Sequence, residues 1–180
     1  MRGVTKTRAL TACAMFAAFT AVFSQISIPI GPVPINLATL SVLMAGGLLG
    51  ARGGACSQII FLLTGAAGAP VFSGFRGGFS ALAGPTGGYI VGYVLAAWFT
   101  GFFYQKRKTT GALVFGMIVG SMTCYAFGLA WFMIVTSNDF LRSISACVIP
   151  FLPGDALKIT AAALLSPRLS RAAQGNLNIL

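Results

Sequence analysis

Long apolar runs, parted by short polar, glycine-rich or proline-rich breaks, pattern this chain from end to end. Within a run the apolar residues are continuous. They do not alternate with polar ones, as a half-buried strand requires. About 20 such residues in helical form cross a hydrocarbon core of about 30 Å. Only helices or a closed barrel satisfy their own backbone there. The pattern therefore predicts an all-α membrane protein with six transmembrane helices, over residues 9–28, 35–51, 55–69, 87–104, 112–135 and 154–169, in one membrane domain, 1–180. The stretch Asn138–Pro153 is also apolar, but Pro150 and Pro153 oppose a continuous helix. It is predicted as a short helix or re-entrant piece. Pro153 then starts the sixth helix, where a missing N–H costs nothing.

Two connections stand apart from the rest. Ser27–Asn36 (SIPIGPVPIN) holds three prolines and no charge. Residues 68–88 form a long stretch rich in glycine and aromatic residues, too apolar for a solvated linker. Loops of that kind carry function, and this one is predicted to fold over the bundle as a lid.

Composition agrees with the pattern: 57% of residues are hydrophobic and 8% charged, the balance of an integral membrane protein. The net charge of +10 is scattered between apolar runs and makes no nucleic-acid face. It reports topology instead. Arg2, Lys6, Arg8, Arg52, Lys106, Arg107, Lys108, Arg168 and Arg171 fall on one predicted side; Arg76 and Arg142 fall on the other. The positive-inside bias puts both termini in the cytoplasm. The basic start and the "ALTACA" that follows share the outline of a secretory signal, but the apolar stretch outruns such a core.

Only two residues are acidic, and Asp155 lies inside the last apolar run with Lys158 three positions on. Ionisable groups at membrane depth cost roughly 2.5–3.5 kcal/mol each on insertion scales, which marks them as functional candidates. Spaced i,i+3 they share a helix face, and the first turn of a helix favours the carboxylate. The same pair also serves packing if it is only a neutralised contact. Arg76, among glycine and aromatic residues, suits a ligand carboxylate; snorkelling toward headgroups is the other reading. Gly84–Tyr89 (GPTGGY) lacks the Lys-Ser/Thr of a phosphate loop. There is no histidine and no CxxC, and the four cysteines are far apart. That argues against a metal site and excludes His-based nucleophile pairs. No enzyme activity is expected. Pairs of small residues recur at i,i+4, Ala14/Ala18, Ala17/Ala21, Gly46/Gly50, Gly88/Gly92 and Gly116/Gly120 among them. Most should pack helices internally; Ala14 and Ala18 on the first helix are the best candidates for a partner.

The segments PVPINLATL, GAAGAPVFSGF…GPTGGYIVGY and PFLPGDALK, in that order, resemble the BioY family. These are substrate-binding S components of energy-coupling-factor (ECF) biotin transporters. The resemblance covers about Arg8 to Leu165. It implies a six-helix protein of the bacterial inner membrane that captures biotin from outside. It would work with a transmembrane coupling subunit and ABC-type ATPases that alone use ATP, and it would need no cofactor of its own. By motif, Asp155 and Lys158 match the family's ligand-binding pair. The ureido ring suits them, the apolar rest of biotin suits Phe72, Phe75 and Tyr89, and the carboxylate suits Arg76. Ala14 and Ala18 match the family's contact with the coupling subunit. Asn36 and Ala38 stand where the family often carries threonine and glutamine; Asn36 still offers hydrogen bonds and Ala38 does not. Rival readings are an S component for thiamine or riboflavin, an intramembrane enzyme using Asp155 as a base, and a structural assembly subunit.

Overall fold

A computed structural model describes residues 2–29 and 31–177, with side chains over 6–29 and 31–169. Arg2 and Arg171, used in the charge pattern above, have side chains outside the described residues. The elements are α1 (Arg2–Gln25), β1 (Ser27–Ile28), β2 (Ile35–Asn36), α2 (Ala38–Ala66), α3 (Phe79–Ala83), α4 (Gly87–Arg107), α5 (Thr110–Thr136), α6 (Phe140–Cys147) and α7 (Phe151–Leu177). Four of these helices, α1, α2, α4 and α5, are long and apolar enough to cross a membrane. The pair α6 and Phe151–Leu169, bent by 47°, makes up to one more. The chain is thus a mostly helical, multi-pass membrane protein.

The expected second and third spans form the single element α2. Gly50 interrupts it with φ 74° and ψ −177°, backbone angles open essentially to glycine alone. There the chain doubles back. A Cβ at Gly54 would lie 2.8 Å from Gly46 Cα, whereas eight residues of straight helix span about 12 Å. Ser41 and Gln58, on opposite sides of Gly50, both hydrogen-bond the Thr20 hydroxyl on α1, at 3.0 and 3.2 Å. The backbone freed at the reversal is partnered: the Ala51 N–H donates to Gln105 Oε1 at 3.3 Å. A buried backbone N–H demands such a partner.

Small residues set the spacing of the neighbouring helices. Gly46 faces Thr100 on α4, Gly92 faces Cys124 on α5, and Gly116 faces Thr100. The α5 start is capped by Thr109, whose hydroxyl accepts from the Ala112 N–H at 3.2 Å. Large apolar side chains, including Phe115, Ile118, Met122 and Leu164, stay exposed around the bundle, as a lipid-facing surface does. Asn138–Pro153 contains the short helix α6. Helix α7 begins at Phe151, two residues before the expected start, and Pro153 still sits in its first turn.

The bundle has two unlike ends. Gly50 and Ala51 pack on Gly101 of α4 beside the basic run Lys106–Lys108. At the other end lie the antiparallel pair β1–β2, with Ser27 opposite Asn36 and Ile28 opposite Ile35, and the loop from Gly68 to Thr86. This second end holds the cavity.

Candidate functional site

A cavity of about 380 Å³ opens among the β1–β2 hairpin, the 71–76 loop, the ends of α2, α4 and α7 and the middle of α5. Its floor carries Asp155 and Lys158, only 6% and 8% exposed. They lie one turn apart on α7 and form an ion pair of 2.7 Å between Nζ and Oδ1. Two further residues complete the cluster. Thr39 on α2 accepts from Lys158 Nζ at 3.0 Å and reaches Asp155 Oδ1 at 3.4 Å. Tyr125 on α5 donates its hydroxyl to Asp155 Oδ2. Three helices therefore converge on one carboxylate. Pairing and hydrogen bonding offset the cost of holding two charges away from water.

The count of remaining bonds matters for chemistry. A carboxylate accepts at about four sites; Asp155 here meets three donors. An ammonium has three N–H groups; two of those of Lys158 are engaged within the cluster. The cluster can take roughly one more donor and give one more N–H.

Asn36 lies on the same wall. Its Oδ1 accepts from the Ala38 N–H at 3.1 Å and from the Tyr93 hydroxyl at 3.5 Å, which leaves its Nδ2 donors free of bonds among the described residues. Ala38 is fully buried and packs in the core beneath. The apolar walls are Phe72, Tyr89, Tyr93, Ile90 and Phe151. Phe72 sits edge-on to Phe61, with centroids 5.5 Å apart. The Tyr89 hydroxyl bonds the Cys147 carbonyl at 2.8 Å, tying α4 to α6. Arg76 lines the mouth, is itself exposed, and makes no side-chain ion pair among the described residues.

Of the residues singled out from sequence, the cavity brings together Asp155, Lys158, Asn36, Arg76, Phe72 and Tyr89. Phe75 is the exception. It does not line the cavity and is 72% exposed, because it takes the left-handed position of the loop turn (φ 56°) and its ring is carried outward. Thr39, Tyr125, Tyr93 and Phe151 were not singled out. A lone tyrosine in the middle of the fifth apolar run was a signal available for Tyr125; a hydroxyl in an apolar helix carries no such mark, so Thr39 had none. Ala14 and Ala18 are exposed along α1, whereas Ala17 is buried against the bundle.

The chain matches the BioY family over residues 1–175. It is 34% identical over 164 residues to the biotin transporter BioY of Thermotoga maritima, covering 91% of this chain and 96% of that one. It is 37% identical over 171 residues to the biotin transporter BioY of Rhizobium etli, with 88% and 91% covered. The probable biotin transporter BioY of Pyrococcus horikoshii is 35% identical over 171 residues, with 95% and 99% covered. Among solved structures, the crystal structure of the S-component for biotin from an ECF-type ABC transporter superposes with a TM-score of 0.86 at 34% identity, over 95% of both chains.

Proposed function

This chain belongs to the BioY family, and from that premise we propose that it is the biotin-binding membrane subunit of an ECF-type uptake transporter. It is a transporter subunit and no enzyme, in keeping with relatives named as transporters. The observation that carries the ligand assignment is the Asp155–Lys158 cluster, with room for one donor and one acceptor at the floor of a largely apolar cavity. One edge of a cyclic urea, with its N–H beside its C=O, offers that complement. Asn36 Nδ2 supplies a further donor for the ureido oxygen. The thiophane ring and valeryl chain lie against Phe72, Tyr89 and Phe151. Arg76 meets the carboxylate at the mouth.

The chain crosses the bacterial inner membrane six times, counting the two arms of α2 separately and the bent α6–α7 pair as one pass. Each arm of α2 runs about 18–24 Å, and the Gly50 turn between them sits at the basic end of the bundle, packed on Gly101 of α4. Both termini and the basic end face the cytoplasm, and the cavity opens outward. Ala14 and Ala18 form the small-residue stripe on which the coupling subunit packs. ATP acts only through ATPase subunits bound to that partner, and release of biotin follows from their cycle.

Mass spectrometry of small molecules released from the purified, detergent-solubilised protein tests the assignment. Unaltered biotin is expected. Thermal-shift measurements with biotin, thiamine and riboflavin separate the rival ligands, since only a molecule that binds the folded state raises its stability. Stabilisation by thiamine or riboflavin without stabilisation by biotin rejects the reading.

A further inference from the structure

Residues 71–76 make a miniature hairpin over the cavity. The Phe72 N–H donates to the Arg76 carbonyl at 2.9 Å and the Arg76 N–H returns to the Phe72 carbonyl at 3.2 Å. Gly74 and Phe75 turn the chain between them with positive φ. Phe72, Ser73, Gly74 and Arg76 all line the cavity. The hairpin's base is tied to the end of α2, where the Gly78 N–H reaches the Gly65 carbonyl at 2.7 Å. Its tip is held by a different helix, through one side chain. Gln25, the last residue of α1, accepts from the Phe75 N–H through Oε1 at 2.9 Å. Its Nε2 lies 3.1 Å from both the Val71 and the Phe72 carbonyls. It also lies 3.0 Å from Ser24 Oγ and 3.3 Å from the Ala21 carbonyl. The adjacent Ser24 hydroxyl donates to the same Val71 carbonyl.

The orientation of the amide follows from these partners. Nε2 faces only acceptors and Oε1 faces an N–H, so the reverse assignment would set carbonyl oxygens against one another. With two N–H groups and a carbonyl, a glutamine both donates to one strand of the hairpin and accepts from its turn. The exposed Phe75 ring contributes no packing that would hold the tip in its place.

We propose that Gln25 is a positioning residue: its amide latches the 71–76 hairpin to the end of α1, so that the roof of the cavity moves with the helix that bears Ala14 and Ala18. This rests on the biotin-subunit reading above. A hairpin latched to α1 keeps Phe72 and Arg76 over the ligand. A hairpin unlatched from α1 uncovers it. Displacement of α1 by a partner then reaches the ligand through this amide, without a contact between partner and ligand.

The test compares wild type with Gln25→Met, which keeps the length and loses every hydrogen bond, and with Gln25→Glu, which keeps the acceptor and loses the donors. Two quantities are read in the purified protein: hydrogen–deuterium exchange of residues 71–78 without ligand, and the dissociation rate of radiolabelled biotin. Gln25→Met is expected to raise exchange in 71–78 while leaving α4 and α5 unchanged. It should speed dissociation about tenfold, the size of one to two lost net hydrogen bonds, with association little changed. Gln25→Glu sets a carboxylate oxygen against the Ala21, Val71 and Phe72 carbonyls, so it should raise exchange and dissociation at least as much as Gln25→Met. Unchanged exchange overturns the latch. So does raised exchange with an unchanged dissociation rate, or a general loss of protection across the bundle. If the wild-type protein retains no biotin, the functional reading fails instead, and the exchange comparison still decides whether Gln25 holds the hairpin.

Discussion

Tyr125 donates its hydroxyl to the one oxygen of Asp155 that Lys158 leaves free. Thirty residues of chain separate them, and α5 and α7 meet at this bond. The phenol therefore aims the carboxylate into the cavity, while Lys158 neutralises it from the next turn. Tyr125→Phe removes a bond to a charged acceptor, the kind worth about 1.5–3 kcal/mol. Biotin affinity is expected to fall tenfold or more by isothermal titration, with the helical circular dichroism unchanged.

Asp155 and Lys158 should behave as a unit. Removing one partner of a buried pair leaves the other uncompensated, at a cost of about 3–5 kcal/mol, whereas removing both is often close to neutral. Asp155→Asn and Lys158→Met are each expected to lower the melting temperature more than the double substitution does. All three should fail to retain biotin, the first two by loss of both fold stability and site, the double by loss of the site alone. A double variant that still binds biotin with wild-type affinity would refute the role of the pair.

Phe72 and Phe75 are three residues apart in the same loop, yet they should differ sharply. Phe72 is buried against Phe61 and lines the cavity, and truncating a buried phenylalanine costs about 3–5 kcal/mol. Phe72→Ala should lower both thermal stability and biotin affinity. Phe75→Ala removes an exposed ring, within about 0.5 kcal/mol, and should leave affinity within about twofold.

Arg76 is solvent-exposed at the cavity mouth, where a charge pair is worth at most about 1 kcal/mol. Arg76→Gln is expected to weaken biotin about three- to fivefold and to leave the affinity for biotin methyl ester as in wild type. High salt should shrink the difference for biotin.

Gly50 and Gly54 report on the α2 reversal. Gly50→Ala places a Cβ at φ 74°, at a cost of about 1–3 kcal/mol, and also against the Gln105 side chain that caps the turn. Gly54→Leu has no space against Gly46. Both variants should melt lower in detergent. Gly111→Ala, where a Cβ meets nothing within 4 Å, is the matched control.

Much of the fold was legible because lipid imposes a coarse rule. A backbone without water must be helical or a closed barrel, so continuous apolar runs locate α4 and α5 within three residues, whereas α1 starts seven residues before the expected span. The α2 reversal was half visible. The pattern placed a break at residues 52–54, next to Arg52, and the chain turns at Gly50, because glycine alone accepts those angles and allows two arms to touch. Asp155 and Lys158 stood out since ionisable groups are rare in such runs. Thr39 did not, since a threonine hydroxyl among apolar residues reads the same whether it bonds its own helix or a carboxylate across the bundle; Tyr125 was marked only as a lone tyrosine in its run, with nothing to name Asp155 as its partner.

From the residues alone came the membrane class, the helical state, the Asp155–Lys158 pair and the chemical character of its surroundings, for these depend on composition and on spacing along one helix. Which donors share the carboxylate, that Phe72 turns inward and Phe75 outward, and that Gln25 grips the loop were decided only on folding. Those are relations between distant helices and a turn, set by close approach at glycines and by the pairing of buried polar groups across the bundle.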